Sequence, residues 1–460
     1  MRERLAKNEL GLPEIVASTL ANIAPAVSFY FGFSVIVAGA GVAAPLTIVL
    51  AMVAILFLGN TLAEFSKFHP STGSFVTFIG LGFGPAAGAA AAVFTIIGYC
   101  VGAAAIVVEA GGWAHDTFKL YAGLNIPWQI LAAASVAICG ALAVQGVKIS
   151  TLWASIFFYF EAGLLAVASA AMLIVNRHTL TLAPFNPANL SGGLAGLGLG
   201  FPLAVYFFVG WENSATLAEE TRQPRRNIPR ALFLATLAIG LVYIFMAYSV
   251  EIAFHTNGPA IAAAAVPFVD AIRLAAPALL ILAYIAGITS IFSCLLGLTN
   301  SQSRILFNSG RENLLPALFG RLHPRHRTPH IAIWLYISSA LLIALAVGWT
   351  LDPVITFGYT ATLGTIPVIL VYMIANVALP IYVLRHHRAA FHPIRHAIIP
   401  FLAVLITLLP IWGLVQPGQP YPFNIFPALT LALFILSVLY GLLIARRPTH
   451  IGSYIADDPN

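Results

Sequence analysis

Charge is scarce in this 460-residue chain. Asp, Glu, Lys and Arg make up 8% of it, hydrophobic residues 60%, and mean hydropathy is +0.92. A soluble fold of this length needs a polar surface, and this composition cannot supply one. Cysteine is nearly absent as well. Cys100, Cys139 and Cys294 fall in apolar runs without CxxC spacing or a neighbouring His set, so they read as packing residues and no metal or cofactor is expected. The two-residue alternation of a membrane β-barrel is missing. The run Gly196-x-Gly198-x-Gly200 has no strand before it and no acidic ribose partner after it, which removes a nucleotide loop. No ATP-binding domain is present, and neither the polar stripe of a channel nor a convergent catalytic set at membrane depth occurs. An enzyme is therefore not expected.

Long apolar runs dominate what remains. Read at ~20 residues per crossing, they predict an all-α integral membrane protein of about twelve helices, at 15–40, 43–63, 82–112, 128–146, 149–175, 198–218, 231–254, 277–307, 330–348, 353–383, 396–414 and 424–445. Gly80, Gly84 and Gly88 recur every four residues, and Gly98 and Gly102 repeat that spacing further along the third span, which suits close helix approach. With the N-terminus inside, 19 of the 22 basic residues fall on inner segments and only Lys119, Arg177 and Arg273 on outer ones. That asymmetry predicts a multi-pass cell-membrane protein with both termini cytoplasmic. The net charge of +6 then reports topology, and no nucleic-acid partner is expected. Behind the charged start Met1-Arg2-Glu3-Arg4 the apolar segment is too long for a cleaved signal, so it reads as a retained first span.

Two spans are interrupted at their middles. One break is Ala21-Asn22-Ile23-Ala24-Pro25-Ala26-Val27-Ser28, and the other is Tyr206-Phe207-Phe208-Val209-Gly210-Trp211-Glu212-Asn213-Ser214. A helix broken in hydrocarbon leaves N–H groups on one half and C=O groups on the other, tolerable only beside a cavity or ligand. Such a pair points to a transporter's substrate site.

The linkers add order. Glu64 precedes Pro70-Ser71-Thr72-Gly73 after the second span, and Glu219-Glu220 precedes Pro224 and Pro229 after the sixth. Ser303-Arg304, Leu315-Pro316 and Pro329 follow in turn after the eighth. Over nearly the whole chain this pattern resembles the amino acid–polyamine–organocation transporter superfamily. The resemblance implies a LeuT-like, five-plus-five inverted repeat with two extra C-terminal helices. Its parts would be a cytoplasmic 1–14, repeats at 15–175 and 198–383, a last helix pair at 396–445 and a cytoplasmic tail at 446–460. It also implies alternating-access transport of an amino acid, by exchange or coupled to protons, with an amine or polyamine as the alternative and sodium coupling or a channel less favoured. Oligomeric state is left open.

A zwitterion suits the free N–H groups at one half-helix end and the free carbonyls at the other. By match to the family, the backbone of Ala26, Val27 and Ser28 is assigned the carboxylate. Carbonyls near Ile23, Tyr206, Phe207 and Val209 are assigned the ammonium, and Tyr206 also stands at the gate position. Where relatives carry Gly-Ser-Gly this chain has Pro25-Ala26-Val27, and proline donates no N–H, which brings an amine forward. Glu109, Glu161 and Glu212 read as the only carboxylates deep in the bilayer and as candidate proton carriers. Ser290 and Ser293 are the sodium candidates. Seven histidines, His323, His326, His330, His386, His387, His392 and His396, lie on inner segments without metal spacing and suit an interfacial role.

Overall fold

The structure, a computed structural model, describes residue 5 and residues 7–191, 193–416 and 421–456. The charged start Met1-Arg2-Glu3-Arg4 lies outside the described residues. The regular structure among them is helical, apart from a single bridge pairing Leu10 with Thr221. In chain order the α-helices are α1 (Leu12–Ile23), α2 (Pro25–Ala40), α3 (Ala44–Phe68), α4 (Ser74–Phe83), α5 (Pro85–Ala122), α6 (Trp128–Gln145), α7 (Val147–Val175), α8 (Leu194–Tyr206), α9 (Asn213–Thr216), α10 (Pro224–Ala253), α11 (Gly258–Ala263), α12 (Pro267–Ala275), α13 (Leu280–Arg311), α14 (His330–Gly348), α15 (Pro353–His386), α16 (Ile399–Val415) and α17 (Phe426–Ile444).

Nine helical stretches among the described residues are long and apolar enough to cross a membrane, where the sequence predicts about twelve. Three local features account for the difference. The stretch Leu12–Phe68 joins the first two expected spans, because only a short 3-10 turn at Gly41–Ala43 separates α2 from α3. The sixth expected span breaks after the 13 residues of α8, and the eleventh is the 17-residue α16. Proline sets many of the starts: Pro25, Pro45, Pro85, Pro224, Pro353 and Pro427 occupy first-turn positions, where the missing N–H costs nothing.

Side chains sort by solvent, and that solvent is lipid. Ile130, Leu152, Tyr159, Ile174, Leu342 and Leu431 are more than half exposed, on the outward faces of α6, α7, α14 and α17. Between helices the interfaces are built from small residues. The hydrophobic effect is weak where the surroundings are equally apolar, so close packing holds the helices together. Gly364 of α15 lies directly on the Gly102 backbone of α5, and Gly98 meets Pro367 on the same pair of helices. Gly82 packs on Ala378 in the same way, and Gly441 on Ala86.

Because a Cβ on Gly364 would overlap the Gly102 backbone, Gly364→Val forces α5 and α15 apart. The expected loss is about 1–3 kcal/mol, read as a lower unfolding temperature in detergent. Wild-type stability in that variant would contradict the packing described.

Candidate functional site

The first break is sharp. Ala24 takes a left-handed backbone (φ 53°, ψ 77°) between the end of α1 and Pro25, the first residue of α2. Few of the polar groups it frees are left open. The Val27 N–H donates to Ser290 Oγ (3.2 Å), the Ser28 N–H to the Ala24 carbonyl (3.2 Å), and Ser28 Oγ to the Ile23 carbonyl (3.0 Å). Ser293 Oγ donates to the Ser290 carbonyl (2.8 Å) and reaches the Ala21 carbonyl at 3.4 Å, and Cys294 Sγ lies 3.2 Å from the Asn22 carbonyl. The proposed sodium ligands Ser290 and Ser293 are thus engaged in joining α13 to the broken helix.

The second break is longer, a series of turns from Phe207 to Glu212 before the single helical turn of α9. Gly210 permits it: its φ of 105° suits glycine, and a Cβ there would crowd the Asn22 amide. Asn22 then ties the two breaks together, its Nδ2 donating to the Gly210 carbonyl at 3.1 Å. Thr19 Oγ1 and Ser214 Oγ share a 2.7 Å bond, and Asn213 Nδ2 donates to Ser18 Oγ at 3.1 Å. Segments some 190 residues apart in sequence therefore meet through main-chain and side-chain polar groups that neither helix satisfies alone.

A narrow cavity of about 40 Å³ lies beside this junction. Of the sequence-assigned residues, Ile23, Ser28, Tyr206 and Val209 line it. Ala26, Val27 and Phe207 do not. The Phe207 ring is buried beside Phe29 and Tyr243, and its carbonyl accepts the Tyr243 hydroxyl (2.9 Å). Tyr206 meets Phe357 edge to face at 6.3 Å, and Phe357 continues through Phe31 to Trp113 as an aromatic cover. Sequence reasoning missed Asn22, Tyr99 and Thr365 in the wall. Asn22 was legible as a polar residue in an apolar run, and its buried Oδ1 has no hydrogen-bond partner. Tyr99 and Thr365 lie on helices whose sequence shows no break, so only folding brings them in.

The acids separate by environment. Glu212 sits one side chain behind the cavity wall: the Tyr99 hydroxyl donates to one carboxyl oxygen, and the Tyr372 hydroxyl and Gly210 N–H each donate to the other at 3.1 Å. Glu161 on α7 faces the Ser290 hydroxyl and the Ala26 N–H but lies outside hydrogen-bond geometry with both. Glu109 is 1% exposed, with one carboxyl oxygen lacking a partner. A further buried carboxylate lies near the end of α10. Glu251, two residues before the end of α10, is fully buried with neither carboxyl oxygen bonded. No metal-ligand cluster occurs among the described residues. Of the histidines, His396 contacts Glu64 at 3.2 Å and so ties the entry to α16 to the end of α3.

The linker residues converge as well. Arg304 forks onto Glu220 through Nε (2.6 Å) and Nη2 (2.8 Å), the two side chains 1% and 3% exposed. Arg311 pairs with Glu219, which also accepts from Thr72 Oγ1 at 3.1 Å. These pairs fasten the chain after the second break to the end of α13 and to the loop after α3.

The amino acid permease family model matches residues 10–438. The chain belongs to that family, within the amino acid–polyamine–organocation superfamily. Members of this family are transporters, and among its curated relatives is the branched-chain amino acid permease BcaP of Bacillus subtilis (strain 168). It is 24% identical over 448 residues, covering 90% of this chain and 89% of that one. The methylthioribose transporter of the same organism is 24% identical over 437 residues, covering 88% of each. The low-affinity putrescine importer PlaP of Escherichia coli (strain K12) is 26% identical over 318 residues, 65% of this chain and 66% of that one.

Removing one partner of the Arg304–Glu220 pair strands a buried charge. Arg304→Ala should therefore cost about 3–5 kcal/mol, while the double variant Arg304→Met, Glu220→Leu should recover most of it. Thermal unfolding in detergent compares them, and a double variant as unstable as the single would refute the pairing argument.

Proposed function

We propose that this permease is a secondary transporter of the cell membrane that carries a small amino acid or amine by alternating access. The observation that carries the reading is the junction of two broken helices through Asn22 and Gly210 beside a cavity. In this reading the chain has about twelve spans in a five-plus-five inverted repeat, 15–175 against 198–383, followed by the pair at 396–445. Residues 1–14 and 446–460 then lie in the cytoplasm, as the basic residues favour. Ile23, Ser28, Tyr206 and Val209 contact the substrate directly, Ala26, Val27 and Phe207 shape the backbone around it, and Tyr206 closes the outer side with Phe357. Glu212 is placed to sense occupancy through Tyr99, which makes it the favoured proton-coupling group. Glu161 and Glu109 are the further candidates.

A specific observation favours recognition through an amino group over recognition through a carboxylate. Pro25 has no N–H, those of Val27 and Ser28 are already bonded, and the Ala26 N–H faces Glu161. The end of α2 thus offers an incoming carboxylate little, while the unpartnered Asn22 Oδ1 suits an ammonium. The relatives' names, from branched-chain amino acids to putrescine, leave both chemistries within the family.

Purified protein screened against free amino acids and small amines should be stabilised by a subset of them. At a hundred times Kd the gain is about 2.7 kcal/mol. A flat screen, together with no uptake of any member into proteoliposomes, would defeat the proposal.

Glu212→Gln keeps the carboxyl's shape: its amide oxygen can still accept from Tyr372 and the Gly210 N–H, while its NH2 turns to the Tyr99 hydroxyl, which can accept, so the variant should fold. Its uptake should lose the pH dependence of the parent. Retention of the parental pH profile would return Glu212 to a structural role.

A further inference from the structure

After α17 the chain does not leave the molecule. It turns back at Arg446 and Arg447 and runs across the ends of α3, α4 and α13. The Gly452 N–H donates to Glu312 Oε1 (3.0 Å), the His450 N–H to the Glu312 carbonyl (3.0 Å), and the Ala456 N–H to the Pro70 carbonyl (3.0 Å). Ile451 seats in the notch where Gly80 of α4 crosses Gly88 of α5, close to Val76, Ala89 and Leu314. The Tyr454 ring covers the Arg311 guanidinium at 4.1 Å, and Arg311 in turn holds Glu219. One short segment therefore touches the end of α13, the loop after α3, and, through Arg311, the stretch just after the second helix break.

We propose that residues 450–456 form a strap that locks these helix ends together, and that Glu312 makes its grip depend on the pH of the solution on that side. The proposal concerns closure of the helix ends and stands apart from which substrate is carried. Glu312 is fully buried beneath the strap, between Thr77 of α4, Asn308 and Arg311 of α13 and the Gly452 N–H. His69 lies against Gly452, His450 is exposed on the strap itself, and Glu219 is held by Arg311. Burial pushes the Glu312 carboxyl up to about 7, outweighing the opposing effects of Gly452, Asn308, Arg311 and Thr77. Lifting the strap admits water, and the carboxyl returns towards its ordinary 4.5. The proton then binds the strapped form more tightly than the lifted one. Grip is full below the lifted-state value and is lost as pH rises through about 7. Acid holds the strap down; alkali frees it.

Hydrogen–deuterium exchange on the purified full chain tests this without any substrate. It is read at about pH 6 and about pH 8, on either side of the Glu312 transition, after correction for intrinsic exchange. Residues 450–456 should exchange several-fold faster at the higher pH in the parent, but remain protected at both in Glu312→Gln. Ile451→Asp should expose them at both. In a chain ending at Arg447, residues 70–77 and 219–222 should lose protection because the strap no longer holds them. Equal protection of 450–456 at the two pH values in the parent would overturn the pH dependence, and unchanged exchange of 70–77 and 219–222 in the shortened chain would overturn the lock. Failure of uptake leaves both readouts unmoved, so the two proposals fail separately.

Discussion

Main-chain polarity inside hydrocarbon is the constraint on which the rest of this structure depends. A continuous helix satisfies every internal N–H and C=O, and a broken one does not; the unpaired groups must then find partners in protein, because lipid offers none. Here two broken helices supply much of each other's need. The Asn22 side chain reaches the Gly210 carbonyl, Ser18 and Thr19 reach Asn213 and Ser214, and Ser290 takes up the Val27 N–H. The neighbours α5, α13 and α15 have to approach closely enough to enclose the junction, and the glycines at 297 and 364 allow that. The cavity is what remains at a place where polar backbone is fully enclosed yet not wholly consumed.

The same economy governs charge. Carboxylates along the linkers are paired: Glu219 with Arg311, Glu220 with Arg304, and Glu64 with Lys67 and His396. Within the spans Glu212 is held by the neutral donors Tyr99, Tyr372 and the Gly210 N–H, and its neighbours are less satisfied. Glu161 and Glu251 make no hydrogen bond through their carboxyl oxygens, and Glu109 leaves one oxygen unpartnered. A buried polar group without a partner is costly, so its persistence points to a state in which it is protonated, hydrated or bound to a ligand. Paired charges hold the helix ends in one arrangement, while unpaired ones are available to a second. On the proposed alternating-access reading, both kinds are needed.

Much of the architecture was legible in the sequence because bilayer physics writes itself into composition. Apolar run length marked the spans, and both interruptions lie where Pro25 and Gly210 signalled them. The linker pattern around Glu219-Glu220 and Ser303-Arg304 indicated the family. The joint at Gly41–Ala43 falls where the expected first span ends and the second begins, whereas helix counting failed where a span is made from two short pieces, as after Tyr206. The burial of Glu251 was not legible, since hydropathy does not show how the chain packs around a helix end.

By itself, then, the sequence determined that the chain spans a membrane many times, that two helices break at mid-span, and which residues flank those breaks. These follow from local rules: hydrocarbon rejects unpaired backbone, and proline or a positive φ ends a helix. Only the tertiary structure decided that Asn22 bridges the breaks, that Tyr99 stands between Glu212 and the cavity, that Phe207 turns into the core while Tyr206 faces the cavity, and that residues 450–456 return to cover Glu312. Each of those depends on contacts between segments far apart in the chain. In a medium that gives no preference between one apolar helix face and another, shape fit and a few hydrogen bonds choose the partner, and neither can be read from a single helix.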